Sequence, residues 1–128
     1  MNTKDKEILL KDLCARLPYG VKINESTQGD FTVIGLTTER VFTTCETEGC
    51  HNDFPIECIK PYLRPMSSMT EEEQRTLDSM CNGVEMVSRL SGLKMFDKAF
   101  NWLDENHFDY RGLIEKGLAI DATGKKIY

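Results

Sequence analysis

Cys45, Cys50, His51 and Cys58 bring three thiols and an imidazole into one short stretch of the chain. These residue types hold a zinc ion when four of them converge tetrahedrally, normally as two closely spaced pairs. The spacing here makes no such pairs: four residues separate Cys45 from Cys50, none separates Cys50 from His51, and six lead on to Cys58. Neighbours on an extended strand point to opposite faces, so Cys50 and His51 do not turn easily toward one ion. The simpler reading makes Cys45 and Cys58 small buried strand residues and leaves Cys50 and His51 in an exposed loop. Cys50 and His51 are also the types of a nucleophile and its base. A reactive thiolate needs an oxyanion site as well, at a helix N-terminus or a nest of amides, and nothing around residue 50 predicts one.

The remaining titratable clusters have structural readings. Glu71, Glu72 and Glu73 stand where a helix dipole favours negative charge, and Thr70 with Glu73 has the spacing of a capping box. Asp104, Glu105, His107 and Asp109 crowd a predicted turn between helices, where caps and solvent account for them. The chain contains no GxGxxG, GxxxxGK[ST], HExxH or GxSxG motif. We therefore expect no catalytic residue, no metal and no cofactor.

Tyr19, Tyr62, Arg64, Trp102, Phe108, Tyr110 and Arg111 are of the types enriched at protein interfaces. Trp102 and Phe108 read as core. Tyr62 and Arg64 lie in a proline-flanked junction, and Tyr110 and Arg111 in a turn. These four are the candidate partner-binding residues.

Hydrophobic rhythm predicts the elements that position them, all within a single domain over residues 1–128. A helix over Thr3 to Leu17 places Leu10, Leu13, Cys14 and Leu17 on one stripe and leaves Lys6, Asp12 and Arg16 for water; Pro18 and Gly20 end it. From 21 to 60 the period becomes two. Strands are predicted at Val21–Asn24, Phe31–Ile34, Glu39–Cys45 and Pro55–Ile59, a four-stranded antiparallel meander or small SH3-like barrel. Pro61 and Pro65 should block pairing in the junction. From 70 to 117 the pattern is helical. One helix carries Leu77, Met80, Cys81, Val84 and Val87 inward, is weakened at Asn82-Gly83 and ends at Ser91-Gly92. A second covers Lys94 to Glu105, with Phe96, Ala99, Phe100 and Leu103 on one face. A third spans Tyr110 to Lys116 and stops at Gly117. Leu118-Ala119-Ile120 reads as extended, and the tail from Thr123 as frayed. The fold class is α+β.

The net charge of −5 is spread evenly along 128 residues, so composition offers no basic face for nucleic acid. Lys22, Arg40, Lys60 and Arg64 would have to align for such a role. No stretch is long and apolar enough for a signal peptide or a membrane span, which makes the cytoplasm the expected compartment. Five cysteines without an export signal imply reduced thiols.

Two segments, Lys60-Pro61-Tyr62-Leu63-Arg64-Pro65-Met66-Ser67-Ser68-Met69-Thr70 and Phe108-Asp109-Tyr110-Arg111-Gly112-Leu113-Ile114-Glu115-Lys116-Gly117-Leu118-Ala119, resemble those of a group of short uncharacterised proteins. That group comes from gut anaerobic bacteria and their phages or mobile elements, and the similarity covers most of the chain. The resemblance implies a bacterial, phage or prophage origin. It brings no assigned activity and hence no catalytic residues. The sequence is read first as a non-catalytic protein-interaction module. Its alternative is a nucleic-acid-binding accessory protein using the small barrel; a small thiol enzyme built on Cys50, His51 or His107 comes third.

Overall fold

The computed structural model describes residues 1–45, 51–81 and 89–128. Helix α1 (Thr3–Arg16) starts where the Asn2 side chain accepts the Asp5 N–H at 2.8 Å. It ends in a 3-10 turn, Leu17–Tyr19, closed by Gly20 at φ +68°, a conformation that favours glycine. Strands β1 (Lys22–Glu25), β2 (Gly29–Leu36), β3 (Arg40–Thr44) and β4 (His51–Pro55) follow as an antiparallel meander. Glu25 shapes the first hairpin, its Oε2 accepting from the Thr27 and Gln28 amides and from the Thr27 hydroxyl. A bulge between Val33 and Gly35 leaves Ile34 on the outer surface.

The junction expected to interrupt the sheet is instead one of its interior strands. β5 (Ile59–Pro65) pairs antiparallel with β1 and then parallel with β6 (Phe108–Asp109) and β7 (Ile120–Asp121). The strand order is β4-β3-β2-β1-β5-β6, with β7 also on β5, and the barrel is not closed. Proline removes a ladder donor, and the missed expectation followed from treating both prolines as barriers. Here β5 divides its pairing, using residues 59–61 against β1 and residues 62–65 against β6 and β7. The segment read as a fourth strand, Pro55–Ile59, is the end of β4 and a 3-10 turn.

The core lies between α1 and the sheet. Leu9 and Leu13 meet Val21, Ile23, Val33, Val41, Ile56, Ile59 and Leu63, all nearly inaccessible. Each such side chain stabilises the fold by about 1.5–3 kcal/mol before entropy is counted. Contrary to expectation, α1 does not turn Asp12 and Arg16 to water: both are fully buried, while Cys14 is exposed. The pair is retained because Asp12 holds Arg16 in a two-pronged bond, Nε to Oδ2 at 2.9 Å and Nη2 to Oδ1 at 3.0 Å.

Helix α2 (Glu71–Cys81) begins with the predicted capping box. The Glu73 amide donates to Thr70 Oγ1, and Glu73 Oε1 accepts from the Thr70 amide, both at 3.1 Å. Helix α3 (Arg89–Glu105) runs through Ser91 and Gly92, which therefore terminate nothing. Asn82-Gly83, Val84 and Val87 lie outside the described residues. Residues 110–116 form turns rather than a helix. Asp109 accounts for this by taking the Leu113 and Ile114 amides onto its carboxylate at 2.9 Å, an arrangement that competes with helical pairing. The tail is docked rather than frayed: the Ala122 amide donates to the Leu63 carbonyl at 2.8 Å, and Tyr128 reaches β1 and β5. No helix among the described residues is long and apolar enough to cross a membrane.

Candidate functional site

All four candidate partner-binding residues gather along β5 and the turn that follows α3, and all four are engaged within the chain. Tyr62 is buried, and its hydroxyl donates to Asp30 Oδ1 at 2.6 Å. Burial, reinforced by that carboxylate, pushes the Tyr62 hydroxyl up to about 12. Tyr62 also depresses the Asp30 carboxyl, helped by an Asn24 amide. Arg64 grips Glu73 with both nitrogens, Nη1 to Oε2 at 2.9 Å and Nη2 to Oε1 at 2.7 Å. Its guanidinium carbon lies 4.1 Å from the centre of the Phe108 ring. Arg64 holds the Glu73 carboxyl down at about 2.

Tyr110 and Arg111 belong to the buried charge cluster. Tyr110 donates its hydroxyl to Asp104 Oδ1 at 2.7 Å, and burial with that bond raises it to about 12. Arg111 Nη1 donates to Asp12 Oδ1 at 2.8 Å, so Asp12 serves two guanidinium groups. Arg16 adds a bond to the Phe108 carbonyl, tying α1 to β6. Asp104, His107 and Asp109, read from the sequence as turn residues in solvent, are all buried. Of the four residues expected to meet a partner, Tyr62 is buried and Arg64, Tyr110 and Arg111 are partly exposed, each bonded within the chain.

A cleft of about 540 Å³ opens beside these residues, lined by Arg64, Ser68, His107, Thr123, Lys125 and Tyr128 among others. His107, in the left-handed region at φ +61°, is 5% exposed, and its Nδ1 has no partner among the described residues. Burial, then the nearby Arg16 and Arg64 charges, lowers the imidazole to about 4, so it is neutral at pH 7. No nucleophile among the described residues is hydrogen-bonded to it. Among the described residues no group of three metal-ligating side chains converges. Cys58 is free and exposed rather than buried, and His51 is exposed on β4. Cys45 stands in a disulfide, against the reduced state expected of the thiols, and Cys50 lies outside the described residues. Nothing in these features points to catalytic activity.

The residues proposed for nucleic acid divide. Register places Lys22 and Lys60 on one face of the sheet, both flanking Asn24. Arg40 is paired with Asp53, and Arg64 with Glu73. Two of the four charges are thereby neutralised locally.

Three large exposed apolar side chains lie elsewhere, together on α3. Leu93 is 65% exposed, Phe96 47% and Phe100 48%. Their i, i+3, i+7 spacing makes one stripe, while Ala99 and Leu103 next to it are buried. Sequence reading put Phe96, Ala99, Phe100 and Leu103 on one face, and the structure divides that face into an exposed and a buried edge. No local signal separates them: with Leu93 included the apolar arc spans about 120°, the width of an ordinary packing face. Comparison with protein-family models, curated proteins and solved structures finds no match.

Proposed function

We propose that this chain is a non-catalytic protein-interaction module that presents the Leu93–Phe96–Phe100 stripe of α3 to an apolar groove on another protein. The bacterial, phage or mobile-element origin implied by the two resembling segments belongs to the same reading, as does a cytoplasmic setting. The observation that carries it is the exposure of three large apolar residues at helical spacing beside a well-buried sheet. Such contiguous patches mark interaction sites more often than isolated exposed residues do. Insertion of an amphipathic helix through i, i+3 and i+7 anchors is a recurrent recognition mode. By contrast, Tyr62, Arg64, Tyr110 and Arg111 are already engaged with Asp30, Glu73, Asp104 and Asp12 of the same chain.

The test uses a photo-crosslinking residue at position 96 and, as control, at exposed Lys4 of α1, each in the native host. A discrete crosslinked protein from position 96, absent from position 4 and lost when Leu93→Glu is added, supports the assignment. Equal labelling from both positions, or a crosslink indifferent to Leu93→Glu, ends it. Steep salt sensitivity of any complex would instead move the chain toward phosphate-driven binding of nucleic acid.

A further inference from the structure

The β1–β5 ladder stops at the pair Ile23 and Pro61. One step further the next residues would be Lys22 and Tyr62, and between them sits the hydroxyl of Tyr128. It accepts the Lys22 N–H at 2.9 Å and donates to the Tyr62 carbonyl at 2.8 Å, with a longer approach of 3.5 Å to the Lys22 carbonyl. The ring above that hydroxyl lies flat on the imidazole of His107, centroids 3.5 Å apart and planes within 10°. One backbone donor, one backbone acceptor and one flat aromatic face therefore read a phenol group by its oxygen and its ring together.

The residues that carry this phenol are lightly held. Lys126 and Ile127 make no backbone hydrogen bond among the described residues, and the Tyr128 residue is 48% exposed although its hydroxyl is enclosed. Segment 123–128 also forms the wall between two clefts. Thr123, Lys125 and Tyr128 line the one that reaches His107, while Lys126 and Ile127 line another of about 420 Å³ beside Phe31 and Thr44. Lifting the segment joins the two and exposes both backbone groups and the His107 face.

We propose that the opening between Lys22, Tyr62 and His107 is a tyrosyl-binding slot, occupied in cis by Tyr128, and that segment 123–128, beyond the anchored Ala122, is its displaceable plug. The ligand class is a para-hydroxyphenyl group, such as a tyrosine side chain of a peptide. This inference is independent of the α3 stripe. Its test is full-length Tyr128→Gly titrated with N-acetyl-tyrosinamide and, separately, N-acetyl-phenylalaninamide, following the Lys22 amide and His107 imidazole by NMR. The tyrosine probe should bind saturably, move both signals and raise the melting temperature. The phenylalanine probe should bind roughly tenfold or more weakly, because it leaves a buried donor and acceptor unpaired. The intact chain should bind neither as well as the variant does.

If Tyr128→Gly does not fold, Tyr128→Phe keeps the ring and lacks only the hydroxyl. The tyrosine probe should then shift the Lys22 amide in this variant more than in the intact chain. Equal affinity for the two probes, equal response of variant and intact chain, or no saturable binding to the folded variant would overturn the slot.

Discussion

The seam between α1 and the sheet and the pair of contacting helices α2 and α3 obey different rules of burial. In the seam, even charges are enclosed: Asp12 and Arg16 are fully buried, and Arg111 closes over them. In the helix pair, α2 buries none of its described residues, and α3 leaves Leu93 mostly exposed and two phenylalanines nearly half exposed. A side chain's chemistry alone therefore does not say where function lies. The interface-type residues of the seam are tied to one another, and the surface with unfilled apolar capacity is on a helix of ordinary composition.

The largest effect expected from perturbing this contrast is at Asp12. Asp12→Ala leaves two guanidinium groups without their shared carboxylate and should cost about 3–5 kcal/mol in a denaturant titration. Replacing the inner pair together, Asp12→Leu with Arg16→Met, should be considerably milder; an equal loss would mean the charges themselves are required. Arg64→Ala removes the grip on Glu73 and the cover on Phe108, with an expected loss of roughly 1–2 kcal/mol. No loss would return Arg64 to the presented surface.

Acid should act on the seam through His107. The imidazole of the folded chain is held near 4, below the 6.5 of an exposed histidine. Above pH 6.5 both states are neutral and the group contributes nothing to pH dependence. Between 6.5 and 4 the unfolded chain takes up the proton first, so stability falls with falling pH. His107→Gln should flatten that slope, and an unchanged slope would point to another group. Glu73 is also shifted down, to about 2 from 4.5. Its contribution is present above pH 4.5 and is lost as pH falls toward 2, in a second phase that Glu73→Gln removes. The smallest stability effect belongs to α3. Leu93→Glu with Phe96→Glu should change stability by no more than about 0.5 kcal/mol, as exposed substitutions do. A larger drop would show that the stripe is already covered from within.

Much of the scaffold was legible. Helix α1, the first three strands and the Thr70–Glu73 box follow from apolar spacing and capping chemistry, which act over a few residues. What was not legible depends on partners distant in the chain. Asp12 and Arg16 look solvent-facing until Arg111 and the Phe108 carbonyl arrive from nearly a hundred residues away. Pro61 and Pro65 look like barriers until β6 and β7 dock on β5. Asp109 looks like a helix neighbour until its carboxylate is seen holding two amides. Of the candidate site, residue types were recognised, but whether Tyr62 and Arg64 face out or in was decided by Asp30 and Glu73, which local pattern does not reveal.

The place of β5 has a consequence for synthesis. Its antiparallel neighbour is already made when it leaves the ribosome, but both parallel neighbours come from beyond residue 107, after α2 and α3. Until then one flank of a strand containing Leu63 has open amides and carbonyls. Nascent chains stopped before that point should be substrates for chaperones and proteases, and the finished protein should acquire protease resistance in a single late step.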